Sequence, residues 1–150
     1  MLINFGIYFA SLRYNKKKRL GMKFEVKSEI LGFEKITEVE LNEVDELFST
    51  LRSSNEKDSI SFTLINPRKI REYSFDISSA TEALLDIKNE EDLLVYNIVV
   101  IQNPIDESVI NFRAPLIFNK KNMTVSQEVL GIKEYPSYGY DESLKTFINK

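Results

Sequence analysis

The feature that most constrains this chain is an alternation of apolar and polar residues with a period of two, repeated over several short segments. In 23–30, Phe24, Val26 and Ile30 alternate with Lys23, Glu25, Lys27 and Glu29. Ile60, Phe62 and Leu64 alternate with Ser59, Ser61 and Thr63, and Tyr73, Phe75 and Ile77 with Ser74 and Asp76. Further on, Met123, Val125 and Val129 take one side and Thr124, Ser126 and Glu128 the other. A period of two puts successive side chains on opposite faces, so these segments read as half-buried strands of an antiparallel sheet.

Two stretches depart from this pattern. Residues 93–101, LLVYNIVVI, are apolar on both faces, which predicts a central strand covered on both sides. Asn97 in its middle then needs hydrogen-bond partners, since an unpaired buried amide costs about 1–3 kcal/mol. Residues 111–119, NFRAPLIFN, carry a proline mid-strand. With period two, Ile110, Phe112, Ala114, Leu116 and Phe118 form an unbroken inward face, while Asn111, Arg113, Pro115, Ile117 and Asn119 point outward. Pro115 removes one ladder N–H, which suits an edge or a bulge. Small Ala114 suits a tight bend where a sheet curls into a barrel.

Helical signals are few. Ser79 with Glu82 three residues on forms a capping box ahead of Leu84, Leu85 and Lys88. Asp141 caps a second pattern of Leu144, Phe147 and Ile148. A third, Val44, Leu47, Phe48 and Leu51, has helical spacing, although Phe48 onward reads equally as strand. Turns are expected at Asn66-Pro67, at Asn103-Pro104 and over Asn119 to Asn122. The expected fold is mainly β: a small antiparallel β-barrel or barrel-like sheet with two or three short peripheral helices. Phe62, Phe75, Phe112 and Phe118 predict a filled interior.

The chain has 150 residues and neither cysteine nor histidine. That composition excludes disulfides, thiolate metal sites, a cysteine nucleophile and a Ser-His-Asp triad. No motif brings paired carboxylates to a defined separation. The expectation is therefore a protein that is not an enzyme, with no catalytic residue, no cofactor and no metal. Residues 1–21 hold Arg13, Lys16, Lys17, Lys18 and Arg19 and no acid, while the remainder holds 15 basic and 23 acidic side chains, a net of −8. An acidic body does not suit direct nucleic-acid binding, and it does suit a basic protein partner.

The apolar run before that basic cluster has the reverse order of a secretory signal and falls short of the roughly 20 residues that span a bilayer. The preferred reading makes 1–21 an upstream extension, disordered or outside the native start, followed by one domain over 22–150. An interfacial anchor using Phe5, Tyr8, Phe9 and Leu12 is the alternative.

The ordered set ILGFE (30–34), LINP (64–67), YSFDI (73–77), VYNIVVI (95–101), NFRAPLIFN and SQEVL (126–130) resembles the FliW family of bacterial flagellar assembly factors over about residues 24–140. In particular, 111–119 is similar to the family's Asn-x-x-Ala-Pro-x-x-x-Asn segment. Arg113 stands where that segment is usually apolar or lysine. The resemblance implies a monomeric cytoplasmic β-barrel without enzymatic activity, away from membranes. Its implied partners are flagellin monomers and the RNA-binding translational regulator CsrA. Flagellin export would free the protein to capture CsrA, which couples flagellin secretion to flagellin translation.

The motif residues carried over are Gly32, Phe33, Asn66, Pro67, Asn111, Ala114, Pro115 and Asn119, and shaping the barrel is the preferred role of each. The partner-binding candidates are Asn66, Pro67, Asn111, Arg113, Pro115 and Asn119, with the outward stripe Asn111, Arg113 and Pro115 foremost, because an edge strand accepts an extended segment or a helix. Glu90, Glu91, Asp92, Asp106 and Glu107 are acidic candidates, though solvated loops are the preferred reading. The alternative function is a barrel that binds an apolar ligand or serves as a general protein-interaction module.

Overall fold

Alternating apolar residues meet one another because the strand registers place them opposite. The computed structural model describes residues 21–54 and 60–148, so the expected extension lies outside the described residues apart from Gly21. Four strands open the fold: β1 (Met22–Val26), β2 (Glu38–Glu43), β3 (Phe48–Ser53) and β4 (Ser61–Ile65). They form an antiparallel meander in which Phe24 faces Val39, Leu41 faces Leu51, and Leu51 faces Phe62. All of these side chains are buried. Burial of one face and exposure of the other is what the period of two predicts.

Strands β5 (Leu93–Val100), β6 (Val109–Asn119) and β7 (Thr124–Gln127) complete a closed seven-stranded barrel. β5 bridges β4 and β6, β6 pairs with β7, and β7 closes on β1. The β1–β7 closure is parallel, through Glu25↔Thr124 and Val26↔Val125, so the barrel is mixed and not purely antiparallel. A two-residue strand, β8 (Glu142–Ser143), pairs with Val109 and Ile110 of β6.

Two helices are present among the described residues. α1 (Ser79–Leu84) is capped by Ser78, whose hydroxyl accepts from the N–H of Thr81. The cap falls one residue before the expected Ser79, and Glu82 is not part of it. α2 (Leu144–Ile148) follows β8 directly. The helix expected after Val44 is a turn followed by β3. The Asp45 carboxylate accepts from the N–H groups of Leu47 and Phe48 at 2.8 and 2.7 Å, and this local closure competes with a helix.

Three strand readings change as well. Residues 73–77 are extended but join no ladder. Tyrosine hydroxyls take over the ladder's role, with Ser74 N–H donating to Tyr138 at 3.0 Å and Asp76 N–H to Tyr135 at 2.9 Å. β7 is buried on both faces, and Val129, expected inside, is exposed. The face expected to be wet is occupied by polar contacts, among them Ser126 with Ser28 at 2.6 Å. β5 is only partly covered, because Val100 and Ile101 at its end are exposed.

The interior is filled by two apolar clusters. One joins Phe24, Leu41, Leu51, Phe62, Tyr96, Leu116 and Phe118. Phe24 and Tyr96 both meet the Phe118 ring edge-on, at 4.9 and 5.9 Å. The second joins Phe48, Ile65, Tyr73, Ile110, Phe112, Tyr138 and Leu144, with Phe75 and Phe147 packed against it. The Arg71 guanidinium lies over the rings of Phe112, Tyr138 and Phe147 at 4.8, 4.9 and 5.5 Å. Glu142 at 3.4 Å completes this stack, which fastens the C-terminal segment to the chain around residue 71.

Candidate functional site

The NFRAP segment is a wide bulge. β5 and β6 are in register at Tyr96↔Leu116 and again at Ile98↔Asn111. Asn97 alone on β5 therefore faces the four residues Phe112–Pro115 on β6. Asn97 is fully buried, and its amide donates to the Asn111 carbonyl at 2.8 Å and to the Tyr73 hydroxyl at 3.2 Å. Tyr73 in turn donates to the Phe112 carbonyl at 2.6 Å. Its hydroxyl pKa is pushed far above the ordinary phenol range by burial, an effect that the Asn97 hydrogen bond partly offsets.

The side chain of Asn111 turns back on its own strand. Its carbonyl oxygen accepts from the N–H groups of Arg113 and Ala114 at 3.0 and 3.2 Å. Gln127 donates to the Ala114 carbonyl at 3.1 Å. On the β7 side, Arg113 and Pro115 offer their carbonyls to the N–H groups of Leu130 and Glu128 at 2.8 and 2.9 Å. Pro115 needs no N–H in this arrangement, which is why a proline fits mid-strand.

The expected outward stripe is thus only partly outward. Pro115 is buried, Asn111 is half-buried and occupied, and Arg113 is half-exposed. Ile117 and Asn119 are buried too, and the turn at this end of β6 is tied to α1. Asn119 and Asn122 both donate to the Leu85 carbonyl at the α1 C-cap, at 2.9 and 2.7 Å. Glu128 holds the other end of α1, accepting from the Ser78 N–H and hydroxyl at 3.3 and 3.2 Å and from the Thr81 hydroxyl. Asn66 caps the turn Pro67–Lys69 by accepting from the Arg68 N–H, and Pro67 is buried. Glu90, Glu91 and Asp92, like Asp106 and Glu107, sit in short 3-10 turns at the surface.

Beside the bulge lies an open groove of about 750 Å³ between the ends of β4 and β5. Phe62, Ile98 and Val99 line its floor, Asn111 and Gln127 one wall, and Leu31, Val100, Ile101 and Tyr140 its rim. The rim residues are exposed by 59, 47, 39 and 62% in that order. Leu31 is put there by the ILGFE turn. The N–H of Phe33 donates to the Ile30 carbonyl at 2.8 Å, and Gly32 takes the positive φ of 86° that a type II turn requires at its third residue. The N–H of Leu31 donates to the Gln127 side chain at 2.8 Å, which fixes the turn to β7.

Of the six partner-binding candidates, Asn111 lines the groove and Arg113 reaches it through Tyr140, with its guanidinium 5.8 Å from the ring centre. Asn66, Pro67, Pro115 and Asn119 do not line it. The rim residues were missed by sequence reasoning. Excess apolar character at Val100 and Ile101 and the Leu-Gly pair at 31–32 were their available signals, and Tyr140 had none.

This barrel has known counterparts. The family model described as "FliW protein" matches residues 7–140, most of the chain, and reaches back beyond the resemblance read over 24–140. The chain belongs to the FliW family. It is 49% identical over 129 residues to Flagellar assembly factor FliW 1 of Wolinella succinogenes, covering 86% of this chain and 100% of that protein. It is 44% identical over 129 residues to Flagellar assembly factor FliW of Sulfurimonas denitrificans, again covering 86% of this chain and 100% of the relative. The Helicobacter pylori (strain G27) relative of the same name is 41% identical over 128 residues, with 85% of this chain and 95% of the relative covered. A solved structure described as "Crystal structure of the flagellar assembly factor FliW" superposes with a TM-score of 0.72 at 25% identity, covering 81% of this chain and 84% of the other. Among the described residues no helix is long and apolar enough to cross a membrane, and no group of acidic side chains is placed to hold a metal.

Proposed function

We propose that this chain is a non-enzymatic flagellar assembly factor that binds flagellin monomers and a CsrA-type translational regulator, one at the expense of the other. The observation that carries this reading is the apolar groove, exposed at the surface and bordered by Asn111 at the start of the bulge. Apolar side chains left in water around a shaped depression mark a surface that another protein covers. Flagellar assembly factor relatives at 41–49% identity support a protein partner over a chemical substrate. The body's net charge of −8 favours a basic partner elsewhere on its surface.

Coupling follows from linkage. If each partner weakens binding of the other, export of flagellin raises the free pool of this protein, and that pool withdraws the regulator from its RNA targets. Such a role places the protein in the cytoplasm as a monomer. Mixing the purified full chain with flagellin and with the regulator, separately and together, tests the reading. Binding of each alone with mutual interference supports it, and failure to bind either contradicts it.

A small apolar ligand is the second reading, favoured by one observation. The groove volume of about 750 Å³ falls within the range of about 300–1,000 Å³ typical of ligand pockets. Native mass spectrometry of the purified protein would show such a ligand as a bound mass.

A further inference from the structure

We propose that the groove between β4 and β5 receives an extended apolar segment of a protein partner that carries a carboxylate for Arg113. The inference rests on the partner-binding reading above and specifies the chemistry of what is bound.

The barrel seam opens at this place. The β4–β5 ladder runs from Ile65↔Asn97 to Thr63↔Val99 and stops. The next pairs in register, Phe62 with Val100 and then Ser61 with Ile101, are not formed, and all four residues line the groove. β4 nevertheless continues to Ser61, held on its other side by Arg52 of β3, and β5 continues to Val100, held by Val109 of β6. Two strands therefore diverge with the backbones of Ser61 and Ile101 lacking ladder partners toward each other. An extended segment satisfies such backbone groups by adding itself as a strand.

Apolar exposure concentrates at the same place. Four of the seven large apolar residues exposed among the described residues are Leu31, Val100, Ile101 and Tyr140, the groove rim. No charged side chain among the described residues lines the groove, so a charged segment laid along its floor would lose hydration without compensation. At the Tyr140 end of the rim stands Arg113, its guanidinium over the Tyr140 ring at 5.8 Å. Its Nε is buried and has no hydrogen-bond partner. Arg113 is half-exposed and no acidic side chain among the described residues pairs with it, so a carboxylate of the occupant can accept from its terminal nitrogens. The occupant is therefore apolar along its length with one acid at the Tyr140 end. A basic segment is the wrong match for this end of the groove.

A random decapeptide display library selected on the full chain tests this without assuming which partner the cell supplies. The expected outcome is enrichment of alternating apolar sequences carrying Asp or Glu. Their synthetic copies should bind at least tenfold more weakly to Val100→Asp. Arg113→Ala should lose binding several-fold, and Asp→Asn in the peptide should then cost nothing further in that variant. Tyr140→Ala, at a residue 62% exposed, serves as the second groove variant should Val100→Asp fail to fold. Enriched peptides without acids, peptides indifferent to the groove variants, or no enrichment would each overturn the proposal. So would a dimer of the chain that Val100→Asp dissociates, since the groove would then belong to a second copy. Loss of flagellin and regulator binding by the unmodified chain would count against the function above, whereas flagellin binding that survives every groove variant would count against the groove alone.

Discussion

The side-chain amide of Asn97 donates to the backbone carbonyl of Asn111 at 2.8 Å, spanning the point where β5 and β6 fall out of register. One buried amide thereby anchors a four-residue detour. Removing it leaves the Asn111 carbonyl and the Tyr73 hydroxyl each short of a donor. Asn97→Ala should lower stability by about 1–3 kcal/mol, the cost of stranding buried polar groups. A urea unfolding series should show a lower midpoint with an unchanged slope, and an unchanged midpoint would remove Asn97 from this role.

Tyr73 makes a prediction about alkaline pH. Its folded-state pKa is raised by burial, as is that of Tyr96, where burial is again the largest cause. Above the unfolded phenol value of about 10, the unfolded chain releases protons that the folded chain keeps, so stability falls with rising pH. The contribution of both groups is fully present below about pH 10 and is lost as pH climbs toward the raised folded values. Tyr73→Phe should be less stable at neutral pH, by about 1 kcal/mol for the lost hydrogen bond to Phe112. It should also lose less stability than the unmodified protein between pH 9 and 11. Parallel pH–stability curves for the two proteins would contradict the assignment.

Glu128 ties α1 to the barrel through Ser78 and Thr81. Hydrogen bonds to a charged group are worth about 1.5–3 kcal/mol, so Glu128→Gln should cost stability on that order. Amide exchange should show the loss first at α1 and at the Asn119–Asn122 turn beneath its C-cap. Protection unchanged at both places would mean that the helix is held by packing alone.

Much of this fold was legible from the alternation of β1 to β4, where inward residues sit opposite inward residues and one face meets water. NFRAPLIFN was legible only in part. Its inward set of Ile110, Phe112, Ala114, Leu116 and Phe118 is buried as the pattern required. The other face was misread, because period two assumes solvent on one side. Here Ile117 is buried, Asn119 is tied to the α1 C-cap, and the residues after β7 take the carbonyls of Arg113 and Pro115. Tyr73 to Ile77 misled for a related reason. Tyrosine hydroxyls distant in sequence replaced a neighbouring strand, and local alternation carries no trace of that. The groove was the least legible feature, since it arises where a ladder stops, between residues almost forty positions apart in the chain.

On the function proposed above, flagellin and the CsrA-type regulator bind this protein in mutual opposition. The most direct measurement is a calorimetric titration of the full chain with the regulator, alone and then with the chain pre-saturated with flagellin. Tight binding is expected in the first titration and an apparent affinity weakened at least tenfold in the second. Equal affinities in the two titrations would contradict it.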